Sequence, residues 1–301
     1  AVYSRTKEKG LAFAAPYGVK TIFTDLEEMA ATDKIDAVYI ASPNKLHIEQ
    51  ARVFLEHGKH VICEKPLSAH AKDVAELQAL AKECGLIYLE AIMFMHLPQR
   101  KLLEEALKKI GDISVAKIDF CQRSSKYDAY LAGSLPNIFN PALETGALMD
   151  LGVYCVYPAL YLFGNPQNTL AVSHLLASGA DGSDIVAMQY PDKLVNLVFS
   201  KVGQAGANTD FQGTNGTVSV ESISKLANIS IRYNNGTVEE VCGEEEKFKL
   251  MGYEAKDFYR YITEPEASRA EYERCSALAH DVSVYMEEIR KLANIRFPSD
   301  N

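Results

Sequence analysis

HVICEKPL, at residues 60–67, is the stretch from which the fold of this chain can be predicted. Its apolar residues Val61–Cys63 are typical of a parallel strand covered on both faces. Pro66 cannot donate a hydrogen bond to a sheet and disfavours helical geometry at Lys65, so the predicted strand ends there. Glu64 and Lys65 therefore lie at the carboxyl end of a strand, the edge at which open α/β sheets bind ligands. The competing interpretation is a surface Glu-Lys pair beside a turn proline, since a motif this short often matches by chance.

The residues on either side of this stretch alternate between short strands and helices. The predicted strands are residues 1–5, 21–23, 37–41, 60–64 and 86–90, and the predicted helices are residues 25–30, 46–57 and 71–83, after an amphipathic stretch around Leu11. Such alternation is typical of βαβ units, whose strands form a parallel sheet with right-handed crossovers. Residues 1–112 are therefore predicted to form a Rossmann-type, doubly wound α/β domain of the kind that binds dinucleotides.

The Gly-rich phosphate loop of such a domain is missing. A dinucleotide-binding domain normally opens with a strand, a GxGxxG turn and a helix whose N-terminus holds the pyrophosphate. No GxGxxG occurs in the 301 residues, and the chain begins where the second strand of such a domain would be ending. We therefore expect the sequence to be N-terminally incomplete and to lack the first βα unit. The alternative is a chain that never had the loop.

A different pattern begins near Val115. Strand-like runs follow one another with turn signals such as Asn235-Gly236 between them, which predicts an open, largely antiparallel sheet. The runs are residues 115–120, 169–176, 184–190, 194–201, 208–212, 216–221, 228–233 and 237–241, and the helices are residues 144–163, 253–264 and 268–292, the last two returning to the surface. We assign residues 113–301 to an α+β domain for substrate binding and oligomerisation. Loop 123–142 is long enough to cover a substrate site.

Composition excludes several classes of function. The 31 basic and 40 acidic residues give a net charge of −9 without a basic block, which argues against nucleic acid or an anionic membrane as a partner. No apolar run approaches the roughly 20 residues of a membrane helix, and the N-terminus lacks a signal-peptide pattern. The six cysteines are scattered and form no CxxC pair, so neither a disulfide scaffold nor a metal site is expected. A soluble, cytoplasmic protein is predicted.

Short motifs occur along the chain in a fixed order. They are Ser42-Pro43-Asn44 with His47, Gly58-Lys59-His60-Val61, Glu64-Lys65-Pro66, Glu90-Ala91, His96-x-Pro98-Gln99, the run GALMDLGVY at 146–154 and the run GTNGT at 213–217. In this order they resemble the Gfo/Idh/MocA family of NAD(P)-dependent oxidoreductases. The resemblance implies hydride transfer between a nicotinamide and a hydroxyl or carbonyl group of a sugar, polyol or diol. It also implies a homodimer or homotetramer assembled through the C-terminal sheet.

The resemblance also places the cofactor along the carboxyl ends of the parallel strands. The cofactor-binding residues that we predict are Ser4, Arg5, Ser42, Pro43, Asn44, His47, Glu64 and Lys65. An acidic residue at the end of the second strand of such a domain would bind the ribose 2′-OH and favour NAD. In this chain Ser4 and Arg5 occupy that position, and a guanidinium pairs well with a 2′-phosphate, so NADP is preferred. Arg5 as an ordinary surface residue at a helix start is the other interpretation.

The predicted catalytic residues are Lys65, Asp150 and Tyr154. Asp150 and Tyr154 are four apart on a predicted helix and so share a face. The family commonly has histidine at the second position, and the tyrosine here resembles the branch of glucose–fructose oxidoreductase and dihydrodiol dehydrogenase. A phenol holds a proton at neutral pH and can donate it to a developing alkoxide. We expect Lys65 to polarise the substrate oxygen and lower the pKa of Tyr154, and Asp150 to orient either the substrate hydroxyl or Lys65.

Each of these assignments has a structural alternative. Tyr154 lies among apolar residues, where a tyrosine is commonly part of the core, and Asp150 suits a capping role. Gly146 and Gly152 cost roughly 1 kcal/mol each in a helix, which indicates close approach of another group there. At the level of function, the alternatives are a non-catalytic nucleotide or sugar sensor of the same fold and a purely structural oligomeric domain.

Overall fold

The computed structural model describes residues 1–300. Its first part contains five short strands, all in parallel pairings. They are β1 (Val2–Tyr3), β2 (Ile22–Phe23), β3 (Ala37–Ile40), β4 (His60–Glu64) and β5 (Tyr88–Ala91). The helices between and after them are α1 (Lys7–Ala14), α2 (Leu26–Ala31), α3 (His47–Glu56), α4 (Ala71–Cys84) and α5 (Gln99–Lys109). The predicted alternation of parallel strands and helices is confirmed.

The parallel strands form two sheets rather than one. β1 pairs with β2, while β3, β4 and β5 form a three-stranded sheet in that order. Within residues 1–300, no backbone pairing joins β1 to β3. The middle of β4 is completely buried, as its apolar sequence predicted, with Val61 and Cys63 at 0% exposure.

The second part is built on one eight-stranded sheet. Its strands are β6 (Ile113–Cys121), β7 (Asn168–Leu175), β8 (Asp181–Gln189), β9 (Leu194–Ser200), β10 (Thr209–Gly213), β11 (Gly216–Ser222), β12 (Ala227–Tyr233) and β13 (Val238–Cys242). They lie in the order β13-β12-β11-β10-β6-β9-β8-β7. Every pairing is antiparallel except β6 with β9. This agrees with the predicted open, largely antiparallel sheet.

Four further helices are α6 (Tyr127–Leu131), α7 (Val153–Phe163), α8 (Lys247–Thr263) and α9 (Pro265–Leu292). The helix predicted over residues 144–163 is shorter than expected, because residues 148–152 form a π-helical turn before α7 begins. Such turns occur often at functional sites.

Both closing helices were predicted to return to the surface, and α9 has one exposed face and one buried face. This helix packs against α4 and β5 of the first part and against α7 and β7 of the second. Cys275, Ala279, Val282 and Met286 are at most 5% exposed. Their spacing of three and four residues forms an apolar stripe along one face, which ties the two parts of the molecule together.

No helix within residues 1–300 is both long enough and apolar enough to cross a membrane.

Candidate active site

Two segments far apart in sequence form the centre of the candidate site. β4 ends at Glu64, and the next residue, Lys65, reaches the π-helical turn that precedes α7. Lys65 Nζ donates to the backbone oxygen of Asp150 at 2.8 Å and to its Oδ1 at 2.9 Å. One predicted catalytic residue therefore holds another at two points.

A second lysine, which the sequence analysis missed, occupies the other oxygen of the same carboxylate. Lys201 Nζ lies 2.7 Å from Asp150 Oδ2, and the Lys201 side chain is 2% exposed. Lys201 directly follows β9, so it is a lysine at a strand end, as Lys65 is. The position of Lys201 at the end of a predicted strand could be read from the sequence, but nothing in the sequence indicated that this lysine contacts Asp150.

The two ammonium groups determine the charge of Asp150. Burial would raise the pKa of this carboxyl, but attraction to Lys65 and Lys201 outweighs it and leaves the pKa well below its ordinary value. Burial would lower the pKa of Lys65, yet Asp150 and Tyr154 reverse that effect and raise it. For Lys201 burial prevails, and the pKa is lowered. Asp150 is thus a fixed anion between two cations, and it is poorly suited to act as a base.

Tyr154 lies beside this ion cluster. Lys65 Nζ is 4.8 Å from the centre of the Tyr154 ring, and Phe120 packs edge-on against the same ring with centroids 5.5 Å apart. Burial raises the pKa of Tyr154, and Lys65 offsets this only in part. The expected net lowering of that pKa is therefore wrong, because desolvation outweighs the ammonium. A raised pKa keeps the phenol protonated at neutral pH.

The glycines before α7 make close contacts with protein groups. A Cβ on Gly146 would lie 1.7 Å from Oδ1 of Asp181, and one on Gly152 would lie 2.9 Å from the ring of Phe199. The other oxygen of Asp181 accepts the backbone N–H of Leu148 at 2.6 Å. The close approach that these glycines predicted is therefore to strands β8 and β9 of the eight-stranded sheet, which fixes the turn that carries Asp150.

The predicted cofactor-binding residues lie at strand ends. Ser4 and Arg5 follow β1, and Arg5 is exposed. Ser42 and Pro43 follow β3, and the Ser42 hydroxyl is buried without a hydrogen-bond partner in residues 1–300. Asn44 donates to the backbone oxygen of Glu144 at 2.8 Å, which connects this loop to the segment before the π turn.

Two further contacts organise this edge. Glu64 Oε1 accepts the hydroxyl of Tyr39 at 2.6 Å, which ties the ends of β3 and β4 together. His47 is 1% exposed, and its two ring nitrogens lie 2.9 Å from the carbonyl oxygens of Pro66 and Ser42. His47 thus lies beneath this edge and supports both loops, and its role in cofactor binding stays a prediction.

Two buried glutamates lie close to the cluster. Burial raises the pKa of Glu90 to about 7, although hydrogen bonds from Tyr157 and the Leu67 backbone N–H act to lower it. Burial, with repulsion from Glu64 and Glu90, raises the pKa of Glu254 to about 8. Glu254 is 5% exposed, and its Oε2 has no hydrogen-bond partner in residues 1–300.

A pocket of about 300 Å³ opens beside the Lys65–Asp150–Lys201 cluster. It is lined by residues 122–125, Asp150, Leu151 and Lys201. The start of the loop that we expected to cover a substrate site therefore forms one wall of this pocket. Within residues 1–300, no three His, Cys, Asp or Glu side chains cluster in a way that would hold a metal ion.

Comparison with known proteins gives a consistent result over most of the chain. Residues 1–91 match the oxidoreductase family GFO_IDH_MocA, with its NAD-binding Rossmann fold, and residues 100–219 match the GFO/IDH/MocA C-terminal domain. The chain is 41% identical to scyllo-inositol 2-dehydrogenase (NADP(+)) of Bacillus subtilis, over 100% of this chain and 90% of that protein. It is 28% identical to trans-1,2-dihydrobenzene-1,2-diol dehydrogenase of Mus musculus, with the same coverage.

Solved structures share the fold. A 3-ketoreductase from Actinomadura kijaniata, in complex with NADP and TDP-benzene, superposes with a TM-score of 0.81 at 23% identity, over 94% of this chain and 86% of that one. Levoglucosan dehydrogenase, in complex with NADH and levoglucosan, gives a TM-score of 0.82 at 18% identity, over 97% and 87%. At these identities the similarity concerns the fold alone.

Proposed function

The chain belongs to the Gfo/Idh/MocA family of oxidoreductases, and on that premise we propose that it is an NADP-preferring dehydrogenase of polyols or sugars. The observation that carries the proposal is the cluster of Lys65, Asp150 and Tyr154 at the carboxyl end of β4, beside a pocket of about 300 Å³. The chain aligns over its whole length with a relative named as an NADP(+)-dependent scyllo-inositol dehydrogenase.

The strand-end residues fit a nicotinamide dinucleotide. The Ser42 hydroxyl is buried and unpaired within residues 1–300, at the end of β3, where a bound ligand would supply its missing partner. Ser4 and Arg5 would face the adenosine ribose, and Ser42 to Asn44 with Glu64 and Lys65 would hold the nicotinamide half. When bound there, the cofactor would supply hydride transfer at C4 of the nicotinamide.

The side chains divide the remaining chemistry. Tyr154 donates a proton to the substrate oxygen when a carbonyl is reduced, and its phenolate takes a proton from the hydroxyl when an alcohol is oxidised. Lys65 donates a hydrogen bond to the same oxygen and stabilises the negative charge that develops there. Asp150 holds Lys65 in place: its Oδ1 accepts from Lys65, and its Oδ2 is occupied by Lys201.

The preference for NADP is supported by the end of β1. Arg5 is exposed directly after this strand, so its guanidinium is available to a 2′-phosphate. No acidic side chain occurs among residues 1–5 to accept hydrogen bonds from a free ribose 2′-OH.

A homodimer through the eight-stranded sheet is the assembly that we propose. The outer face of β7 and β8 carries Leu170 and Val172, both 65% exposed, and Ile185, which is 50% exposed and lies opposite Val172. A contiguous apolar face of this kind marks an interaction surface. The variant Ile185→Asp should halve the molar mass measured by light scattering, whereas Leu131→Asp, at an exposed site on α6, should leave it unchanged. A wild-type monomer would contradict the proposal.

Titration with NADPH and NADH, followed by an oxidation assay with scyllo-inositol and NADP, tests the proposed function. We expect tighter binding of NADPH and production of NADPH in the assay. Cofactor binding without turnover of any polyol, sugar or diol would instead identify a sensor of the same fold.

A further inference from the structure

Lys201 has a hydrogen-bonding capacity that residues 1–300 do not use fully. Its ammonium carries three donors. Nζ donates to Asp150 Oδ2 at 2.7 Å and to the backbone oxygen of Ile138 at 3.3 Å, and it lies 5.5 Å from the centre of the Phe139 ring. These two acceptors leave one N–H in a group that is 2% exposed and lines the pocket. A buried donor without an acceptor is costly, so a ligand oxygen would stabilise this arrangement.

Holding Asp150 in place does not by itself require a second ammonium. Lys65 already binds this residue through both its carbonyl oxygen and Oδ1. Lys201 adds a positive charge beyond what one carboxylate neutralises, in the pocket that Asp150 and residues 122–125 also line. The added group is therefore available to a second oxygen of the substrate, next to the one that Lys65 engages.

The pocket lining favours a small neutral ligand rich in hydroxyl groups. Gln122, Ser124 and Ser125 offer amide and hydroxyl groups. The guanidinium of Arg123 is occupied by Asp128, at 2.6 and 3.3 Å, which disfavours capture of a phosphate or carboxylate. A volume of about 300 Å³ lies at the lower end of the range for ligand pockets, so it suits one sugar-sized ring better than a nucleotide-linked sugar.

We propose that Lys201 is a substrate-binding residue and that the substrate is a free single-ring polyol, whose hydroxyl next to the reacting carbon accepts a hydrogen bond from Lys201 Nζ. This inference rests on the proposed dehydrogenase function. Its specific consequence is that Lys201 discriminates between substrates with and without that neighbouring hydroxyl.

Two ring alcohols that differ by one hydroxyl test this consequence. trans-1,2-Cyclohexanediol carries the neighbouring hydroxyl and cyclohexanol lacks it. Both are assayed as substrates with NADP or, where turnover is too slow to follow, as competitive inhibitors of scyllo-inositol oxidation. We expect the wild-type enzyme to favour the diol by roughly 10- to 100-fold, the range for a hydrogen bond to a charged group. In Lys201→Met this preference should fall to within about threefold, and Lys201→Gln, which keeps a donor, should restore part of it.

Controls separate the possible results. Lys126→Met, at an exposed lysine directly after the pocket-lining residues 122–125, should retain the wild-type preference. NADPH affinity and thermal unfolding confirm that the Lys201 variants are folded and bind cofactor. An equal loss for both alcohols in Lys201→Met would mean that Lys201 only supports Asp150, which overturns the inference while the proposed function stands. Preferred turnover of UDP-N-acetylglucosamine over scyllo-inositol would overturn the single-ring class. A wild-type enzyme that oxidises no alcohol would refute the proposed function itself, and this inference with it.

Discussion

Lys65 and Asp150, 85 positions apart in the sequence, are joined by two hydrogen bonds of 2.8 and 2.9 Å. In the first the backbone oxygen of Asp150 is the acceptor, and in the second its Oδ1 is, so the position of Lys65 depends on the π-helical turn as well as on the carboxylate. The end of β4 is thereby fixed against the turn that leads into α7, the helix that packs on the eight-stranded sheet. A site built in this way is preorganised, because neither group has to move when charge develops on a substrate oxygen.

Replacing Tyr154 with phenylalanine tests the proton-transfer role. The ring and its contact with Phe120 are retained, while the hydroxyl that exchanges the proton is lost. We expect kcat to fall by roughly 10²-fold or more, as for loss of a general acid–base group, with NADPH affinity unchanged. Steady-state kinetics with scyllo-inositol measures the effect, and Tyr259→Phe, at a 67% exposed tyrosine, serves as the control. Near wild-type turnover in Tyr154→Phe would remove this residue from the mechanism.

The variant Gly146→Ala, which adds one methyl group, tests whether the π-helical turn must be held in place. The new Cβ would lie 1.7 Å from Asp181 Oδ1, so the carboxylate or the turn has to move. We expect a loss of about 1–3 kcal/mol in the free energy of unfolding, as for overpacking. We also expect a decrease in kcat, because Asp181 anchors the Leu148 N–H two residues before Asp150.

The matched control for this change is Gly252→Ala in α8, where a Cβ would meet no atom of residues 1–300 within 4 Å. Alanine is the better helix former, so this variant should keep or slightly gain stability. Urea unfolding measures both proteins. Equal stabilities for the two variants would mean that the segment before α7 tolerates displacement.

The features predicted correctly from the sequence are those fixed by local patterns. The apolar run of β4 and the proline after it located Lys65 at a strand end, and Asp150 and Tyr154 both lie next to that lysine. Lys201 was missed because its partner lies on another element, and no local pattern reports such a pairing. The π-helical turn was missed because its hydrophobic pattern resembles that of an α-helix. The net pKa of Tyr154 depends on burial, which the sequence around it does not determine.

Cofactor preference provides a test at the carboxyl end of β1. Arg5 is exposed after β1, where a 2′-phosphate would be its partner. Arg5→Ala should weaken NADPH binding about tenfold or more, in line with loss of a charge-assisted hydrogen bond, while NADH binding changes little. Nicotinamide fluorescence titrations measure both affinities. The control is Lys20→Ala, which removes an exposed positive charge just before β2. Equal losses for the two cofactors in Arg5→Ala would rule out a 2′-phosphate contact.

The buried glutamates predict how stability depends on pH. The pKa of Glu254 is about 8 in the folded protein against an ordinary value of 4.5, because burial disfavours its charged form. The folded state therefore binds the proton more tightly than the unfolded state. The stability that this provides is fully present below pH 4.5 and is lost as the pH rises through about 8. Glu90, with a pKa of about 7, acts in the same direction. The wild-type melting temperature should consequently be higher at pH 5 than at pH 8.5.

Glu254→Gln removes one of these titrations while keeping the shape of the side chain. The decrease in melting temperature between pH 5 and pH 8.5 should become smaller in this variant, because a neutral amide has no charge to bury. Part of the decrease should remain, since Glu90 still titrates in this range. Glu266→Gln is the control, because the Glu266 side chain is 84% exposed. Thermal unfolding followed by circular dichroism at both pH values gives the comparison. A decrease in Glu254→Gln as large as that of the wild type would show that Glu254 is not held neutral in the folded protein.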